Sequence, residues 1–321
     1  KSKLLEYQVE QVFCNKWRIY SVIRNYGIVA NSLNFLSKFS LNGMTLSNIT
    51  KTQAVVVSLC LALLLVASIG LARQFTVKAV SDCQRKNQPF DYSICELDAK
   101  NAANFSLQWQ NPSSTSHPLL LTFTALRDYL ASEQPTKTLL FAMNAGMYDG
   151  NFAPIGYTVI NGKQIRALNL KQGGGNFHLM PNGVFWQDRQ GFYITESQSM
   201  AKKLASGAKP IFATQSGPML VIDGNIHPAF DANSTSRKYR NGVGVCGHNP
   251  SRVKFVISDT PVSFYEFADL FKSQLGCDNA LFLDGGSASA LYSQTLSRND
   301  NKYMGCLLYT SDAADERSSV D

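Results

Sequence analysis

A chain of 321 residues, 45% hydrophobic and 17% charged, can bury a real core, which excludes a disordered or low-complexity protein. Its formal net charge of +7 is uneven: residues 1–72 carry 7 Lys+Arg against 2 Asp+Glu, residues 73–305 carry 22 against 17, and residues 306–321 carry 1 against 4. The middle is thus mildly basic, with no Lys/Arg run interleaved with aromatics, which excludes a nucleic-acid surface and leaves a weak bias towards anionic partners.

Residues 1–43 begin on Lys1, keep no steady apolar period and read as translated upstream sequence. Residues 44–72 read as a secretory signal: Met44 opens a short polar stretch, Ala54–Ala72 is uncharged, and Gly70-Leu71-Ala72 suits cleavage after Ala72. The alternative is an uncleaved signal anchor, which would give the protein its one link to a membrane. Either way the domain at 73–305 is expected to be periplasmic or secreted.

Along that domain, Phe90–Leu97 and Asn104–Gln110 read as early strands, and Leu119–Leu130 has helical spacing. Leu139–Met143 is a short buried-strand run, followed by Ile155–Ile160 and the hairpin signal Asn161-Gly162. Val184–Trp186 and Gly191–Ile194 read as a hairpin, Met200–Ala208 as a helix, and Phe212–Ser216 and Pro218–Ile222 as strands. Arg240–Val245 and Arg252–Ser258 form an expected strand pair, and Val262–Leu275 has the best helical face. Ala280–Leu283 is another short strand run, after which Ala288-Ser289-Ala290 could open a helix. Strands outnumber helices and hairpins outnumber crossovers, so the expected fold is α+β, with a mixed, largely antiparallel sheet core, a few flanking helices and a single catalytic domain.

Cys306–Glu316 (CLLYTSDAADE) resembles a translated sequencing adapter, so residues 306–321 are expected to be foreign and the native sequence to stop near Gly305. Outside the two ends and the signal, Cys83, Cys95, Cys246 and Cys277 remain. An exported protein permits disulfides; a local loop would join Cys83 to Cys95, leaving Cys246 with Cys277, and free buried thiols are the alternative.

Chemistry begins with exclusions. Gly173-Gly174-Gly175 is followed by no Gly-Lys-Ser/Thr, no nucleophile elbow of the G-x-S-x-G type is present, and the four histidines lack metal-ligand spacing. What recurs is a polar residue beside glycine at the end of an apolar strand: Asn144-Ala145-Gly146, Ser216-Gly217 and Asp284-Gly285-Gly286-Ser287. Glycine lets backbone donors approach an anion closely, and Arg240, beside Asn241-Gly242, offers a fork for phosphate or carboxylate. A carboxylate placed there can move a proton or direct a water in the hydrolysis of an acetal.

The runs FAMNAGMYD, PNGVF, SGPMLVIDG, IHPAF, YRNGVGV and LDGGSAS, in order between Leu139 and Tyr292, resemble the phosphodiester glycosidase family, in its short secreted bacterial branch. The chain has two glycines before Ser287 where many relatives have three, and Ala145 and Met147 where many have Gly and Phe. The resemblance implies hydrolysis of a sugar-1-phosphate diester at the glycosidic carbon. It implies Asp284 as the acid/base or water-orienting carboxylate, Asp149 as a second carboxylate with Glu196 in reserve, and Arg240 on the phosphate with the N–H groups around Gly285, Gly286 and Ser287. Asn144, Gly146, Ser216, Gly217 and His227 would line the substrate. No cofactor is required, though Asp284 could hold Mg²⁺ or Ca²⁺. The expected partner is a sugar-phosphodiester or other anionic glycan. A non-catalytic envelope protein that binds such glycans, and a phosphodiesterase cutting P–O, are the competing functions.

Overall fold

Short apolar runs become strands, and hydrogen bonding sorts those among the described residues into three sheets. The computed structural model describes residues 81–98, 105–116, 118–247 and 252–313, so the expected upstream and signal segments, residues 1–72, lie outside the described residues. In chain order the elements are β1 (Ser81–Lys86), β2 (Tyr92–Asp98), β3 (Phe105–Gln108), α1 (Phe123–Glu133), β4 (Lys137–Asn144), β5 (Thr158–Ile160), β6 (Lys163–Arg166), β7 (Gly183–Gln187) and β8 (Phe192–Glu196). They continue with α2 (Ser197–Ala205), β9 (Phe212–Ser216), β10 (Met219–Ile222), β11 (Asn225–Ile226), β12 (Asn241–Cys246), β13 (Arg252–Ser258), α3 (Phe264–Asp269), β14 (Cys277–Phe282), β15 (Leu291–Ser293), β16 (Arg298–Asn299) and β17 (Leu307–Ala313).

The large sheet runs β1-β2-β13-β12-β14-β10-β11, and the two smaller ones run β16-β15-β4-β17-β3 and β6-β5-β9-β7-β8. Every described pairing is antiparallel, which with three α-helices among the described residues gives the α+β class.

Register explains why the large sheet is apolar on both faces. Alternate residues of a strand point to opposite sides, so Val243, Phe255 and Leu281 enter one core while Val256, Ala280 and Phe282 enter another. The first core is shared with Phe141 of β4 and Phe185 and Phe212 of the third sheet; Phe255 stacks on Phe105 at 5.4 Å and meets Phe185 edge-on at 5.8 Å. The second is closed by Phe267 and Phe271. Each such ring contributes about 1.5–3 kcal/mol by leaving water.

The helices differ from their expected spans for local reasons. α1 starts at Phe123 because Leu119 bridges to Gln110, Leu120 N–H binds the Trp109 carbonyl, and Thr122 Oγ1 caps the Ala125 N–H at 3.1 Å. The expected helix at Val262–Leu275 is shorter: a Ser263/Glu266 capping box opens α3, and a π turn at Leu270–Gln274 keeps both Leu270 and Phe271 buried. No helix follows Ala288; one 3₁₀ turn at Gly286–Ala288 gives way to β15, because Ser289 and Ala290 are drawn into a buried polar network.

Cys83–Cys95 and Cys246–Cys277 are both disulfide-bonded, and Cys306 is a buried free thiol. The residues read as foreign, from Cys306 on, enter the second sheet: β17 fills the slot between β4 and β3, with Leu307, Leu308 and Thr310 fully buried.

Candidate active site

β14 ends in a buried apolar run that delivers Asp284 to a turn. Leu283 N–H binds the Asn241 carbonyl at 3.0 Å and Asp284 N–H binds the Ala145 carbonyl at 3.1 Å, so the turn is fastened to β12 on one side and to the end of β4 on the other. A Cβ on Gly285 would stand 2.3 Å from the tip of the Phe282 ring, and Gly286 has φ +68°, so both glycines are demanded by the path of the chain. Gly286 N–H is spent on the Tyr239 carbonyl at 2.9 Å. The N–H groups of Gly285 and Ser287 have no acceptor among the described residues, and neither has the Asp284 carboxylate a donor. Burial pushes that carboxyl up to about 6.

Asn144, also buried, ties three elements together. Its Nδ2 donates to the Asp284 carbonyl, and its Oδ1 accepts from Asn241 Nδ2 at 3.0 Å and from Ala290 N–H at 3.1 Å. Ser289 Oγ donates to Asn241 Oδ1 at 3.0 Å. The expected site residue Asn144 is therefore a strut that fixes the Asp284 turn, and Asn241 and Ser289 complete it. Neither was singled out from sequence, although Asn241 lies beside Arg240 and Ser289 two places after Ser287.

Arg240 is 3% exposed and sits in a cradle made by residues 258–264. Its N–H donates to Ser258 Oγ at 2.8 Å, its Nε to the Val262 carbonyl at 2.9 Å, and its guanidinium lies 3.6 Å from the centre of the Phe264 ring. Nη2 reaches the Ser236 carbonyl at 3.4 Å, and Nη1 has no acceptor among the described residues. No carboxylate among them pairs with the guanidinium directly. Burial lowers its pKa to about 10, partly offset by the charge of Glu266, so it remains a cation at neutral pH. On the other side Phe264 stacks on Phe230 at 4.9 Å, and Phe230 on His227 at 4.7 Å.

Ser216, Gly217 and Gly146 reach the same end of the sheets. Phe282 N–H binds the Pro218 carbonyl at 3.1 Å, and Gly146 N–H binds Thr214 Oγ1 at 3.0 Å. A Cβ on Gly146 would stand 2.2 Å from the Gln215 carbonyl oxygen, and one on Gly217 2.6 Å from Asn182 Cβ. Ser216 Oγ is buried without a hydrogen-bond partner among the described residues. His227 accepts the Ala229 N–H at Nδ1, 3.1 Å; burial lowers its pKa, with a hydrogen bond to the Met180 backbone opposing.

Two further expected carboxylates make local hydrogen bonds. Asp149 Oδ1 accepts the N–H groups of Asn151 at 2.9 Å and Ala153 at 3.1 Å, holding its own turn, and Glu196 caps α2 through Gln198 and Ser199. Among the described residues no three His, Cys, Asp or Glu side chains converge in a metal-holding group. An open groove of about 1040 Å³ lies between the β5–β6 turn and the loop after α2, lined by Asn161, Arg189, Lys209 and Ile211, and includes none of the candidate site residues.

The chain has relatives among known proteins. The Escherichia coli (strain K12) uncharacterized protein YigE is 40% identical over 146 residues, 45% of this chain and 54% of that protein, so the chain spans about half the length of this relative. The zebrafish N-acetylglucosamine-1-phosphodiester alpha-N-acetylglucosaminidase catalytic domain, solved in a form auto-inhibited by its pro-peptide, shares the fold. It superposes with a TM-score of 0.51 at 15% identity over 74% of this chain and 84% of that one. The phosphodiester glycosidase family model matches residues 137–316, from β4 through Asp284 and beyond, and on that match the chain belongs to the phosphodiester glycosidase family.

Proposed function

We propose that this is an exported hydrolase that cleaves a sugar-1-phosphate diester at its glycosidic C–O bond, releasing a free sugar and a phosphomonoester. The observation that carries the reading is the Asp284 carboxylate, partly buried, with no donor among the described residues, and tied through Asn144 and Asn241 to an arginine that has no carboxylate partner among them. Family membership supports the reaction class. The two disulfides support an oxidising compartment, periplasmic or extracellular.

In this mechanism a water attacks the anomeric carbon while the bond from that carbon to the phosphate oxygen breaks. The leaving phosphomonoester is a stable anion, so neutralising its charge matters more than protonating it. Arg240 and the N–H groups of Gly285 and Ser287 supply that neutralisation from fixed positions. Asp284 is then free to orient the water and take its proton, which a carboxylate with a pKa of about 6 does at neutral pH. No step passes through a metal ion.

A sugar p-nitrophenyl phosphodiester tests this. Cleavage at C–O yields p-nitrophenyl phosphate, which colours only after phosphatase is added, and Asp284→Asn should abolish it. Colour without phosphatase means cleavage of the P–O bond to nitrophenol, ¹⁸O from labelled water in the p-nitrophenyl phosphate means cleavage of the P–O bond to the sugar, and saturable binding with no product means a glycan-binding protein; any of these results overturns the proposal.

A further inference from the structure

Among the described residues only four large hydrophobic side chains are exposed, and two of them, Tyr303 at 67% and Tyr239 at 48%, belong to segments hydrogen-bonded to the Asp284 turn. Single exposed aromatics are unremarkable, but Tyr303 is part of a group. Phe152 stacks on Tyr148 with ring centres 5.3 Å apart and meets Tyr303 at 6.4 Å, and Tyr148 Oη donates to the Tyr303 carbonyl at 3.3 Å.

The group is built, and it is built beside Asp284. Tyr148 follows the end of β4, where the Ala145 carbonyl holds Asp284 N–H at 3.1 Å. Lys302, next to Tyr303, donates from Nζ to the Ser289 carbonyl at 2.9 Å, inside the network that fixes the same turn. Gly305 lies flat against Tyr148, since a Cβ there would stand 2.8 Å from that ring. Phe152 is presented by the turn that Asp149 holds, and its carbonyl accepts Trp109 Nε1 at 3.0 Å. The Asp284 charge also raises the Tyr148 pKa, after burial as the larger cause. None of these rings touches Arg240, which lies in the cradle of Val262 and Phe264.

We infer that Phe152 and Tyr303, with Tyr148 packed behind Phe152, form a platform that takes the C–H face of a hexopyranose ring, placing the sugar on the side of Asp284 away from Arg240. A pyranose offers one apolar C–H face, which matches the apolar faces of these rings. The diester's phosphate then falls to Arg240 and the second substituent lies beyond it. Such a site selects for the sugar rather than for the alcohol esterified to the phosphate. This inference rests on the proposed reaction for its orientation, though not for its ligand class.

Two arms test it on the intact protein. In the first, Tyr303→Ala and Phe152→Ala should each raise KM for a hexopyranosyl p-nitrophenyl phosphodiester by about 5–10-fold with kcat within about twofold, and Tyr303→Phe should restore the wild-type KM. The increase should persist when methyl replaces the p-nitrophenyl group. In the second, saturation-transfer NMR with free N-acetylglucosamine or glucose should show ring-proton signals that Tyr303→Ala removes. Turnover with unchanged KM in both alanine variants overturns the platform and leaves the proposed reaction standing. Absence of turnover with sugar signals lost only in Tyr303→Ala overturns the reaction and keeps the platform. Sugar signals unaffected by Tyr303→Ala, or none at all, overturn it.

Discussion

Asn241 Nδ2 donates to Asn144 Oδ1 at 3.0 Å across 97 residues of chain, joining the start of β12 to the end of β4 directly beneath Asp284. Both side chains are buried, so the bond forms where water cannot replace it.

Asn241→Ala should therefore destabilise the fold by about 1–3 kcal/mol, because Ser289 Oγ loses the nearer of its two acceptors and Asn144 Oδ1 one of its two donors. For a domain of this size that is a fall in Tm of roughly 2–4 °C per kcal/mol, readable by calorimetry. Activity should fall further than stability accounts for, since the turn carrying Asp284 is released.

Asp284 couples pH to both stability and rate. Its folded pKa, about 6, lies above the ordinary carboxylate value of 3.8, so below the ordinary value both states are protonated and nothing is lost. As pH rises from about 4 to about 6 the unfolded chain ionises first, and the fold loses at most roughly 3 kcal/mol. Asp284→Asn should remove that loss, making the variant more stable than wild type at pH 7.5 and equal to it near pH 3.5 in urea titrations. With Asp284 as the base, kcat/KM should rise through a pKa near 6.

How much of this was readable in the sequence depends on the range of the interaction. Local chemistry was legible: Asn161-Gly162 makes the β5–β6 turn with φ +50° and +75°, and Arg240–Val245 pairs with Arg252–Ser258 as expected. Asp284 was legible too, as a carboxylate after an apolar run and before two glycines. The partners of Asn144 were not, because Asn241 and Ala290 lie 97 and 146 residues away and nothing periodic announces them. Asp149 carries the same motif grammar as Asp284, but its carboxylate accepts from its own turn, a distinction that only hydrogen bonding reveals. Phe264 reads as one apolar position of a helix, and its second face, under Arg240, depends on the register of α3 against β12.

The Arg240 cradle predicts an asymmetry between two substitutions. Arg240→Lys keeps the charge but gives up the fork and most of the stacking on Phe264, so KM should rise by about 10–100-fold and become more sensitive to salt. Phe264→Leu keeps the arginine and loosens it, giving a smaller rise that Phe264→Tyr should not show. Steady-state kinetics at two salt concentrations separates these outcomes.

Disulfide reduction should weaken the domain through the longer loop first. Cys246–Cys277 spans 31 residues and links β12 to β14, the strands that bear Arg240's neighbour Asn241 and the Asp284 turn. Loop-closure entropy assigns it roughly 3–4 kcal/mol, and Cys83–Cys95, spanning 12 residues, somewhat less. Chemical denaturation with and without reductant should show the loss, and Cys246→Ser/Cys277→Ser should reproduce most of it while Cys83→Ser/Cys95→Ser reproduces the smaller part.

The central claim is that the bond broken is the one between the sugar's anomeric carbon and oxygen. Hydrolysis of a hexopyranosyl phosphodiester in ¹⁸O-water, followed by mass spectrometry of both products, tests it most directly. The label should enter the sugar hydroxyl and be absent from the phosphomonoester; label in the phosphomonoester would contradict the account.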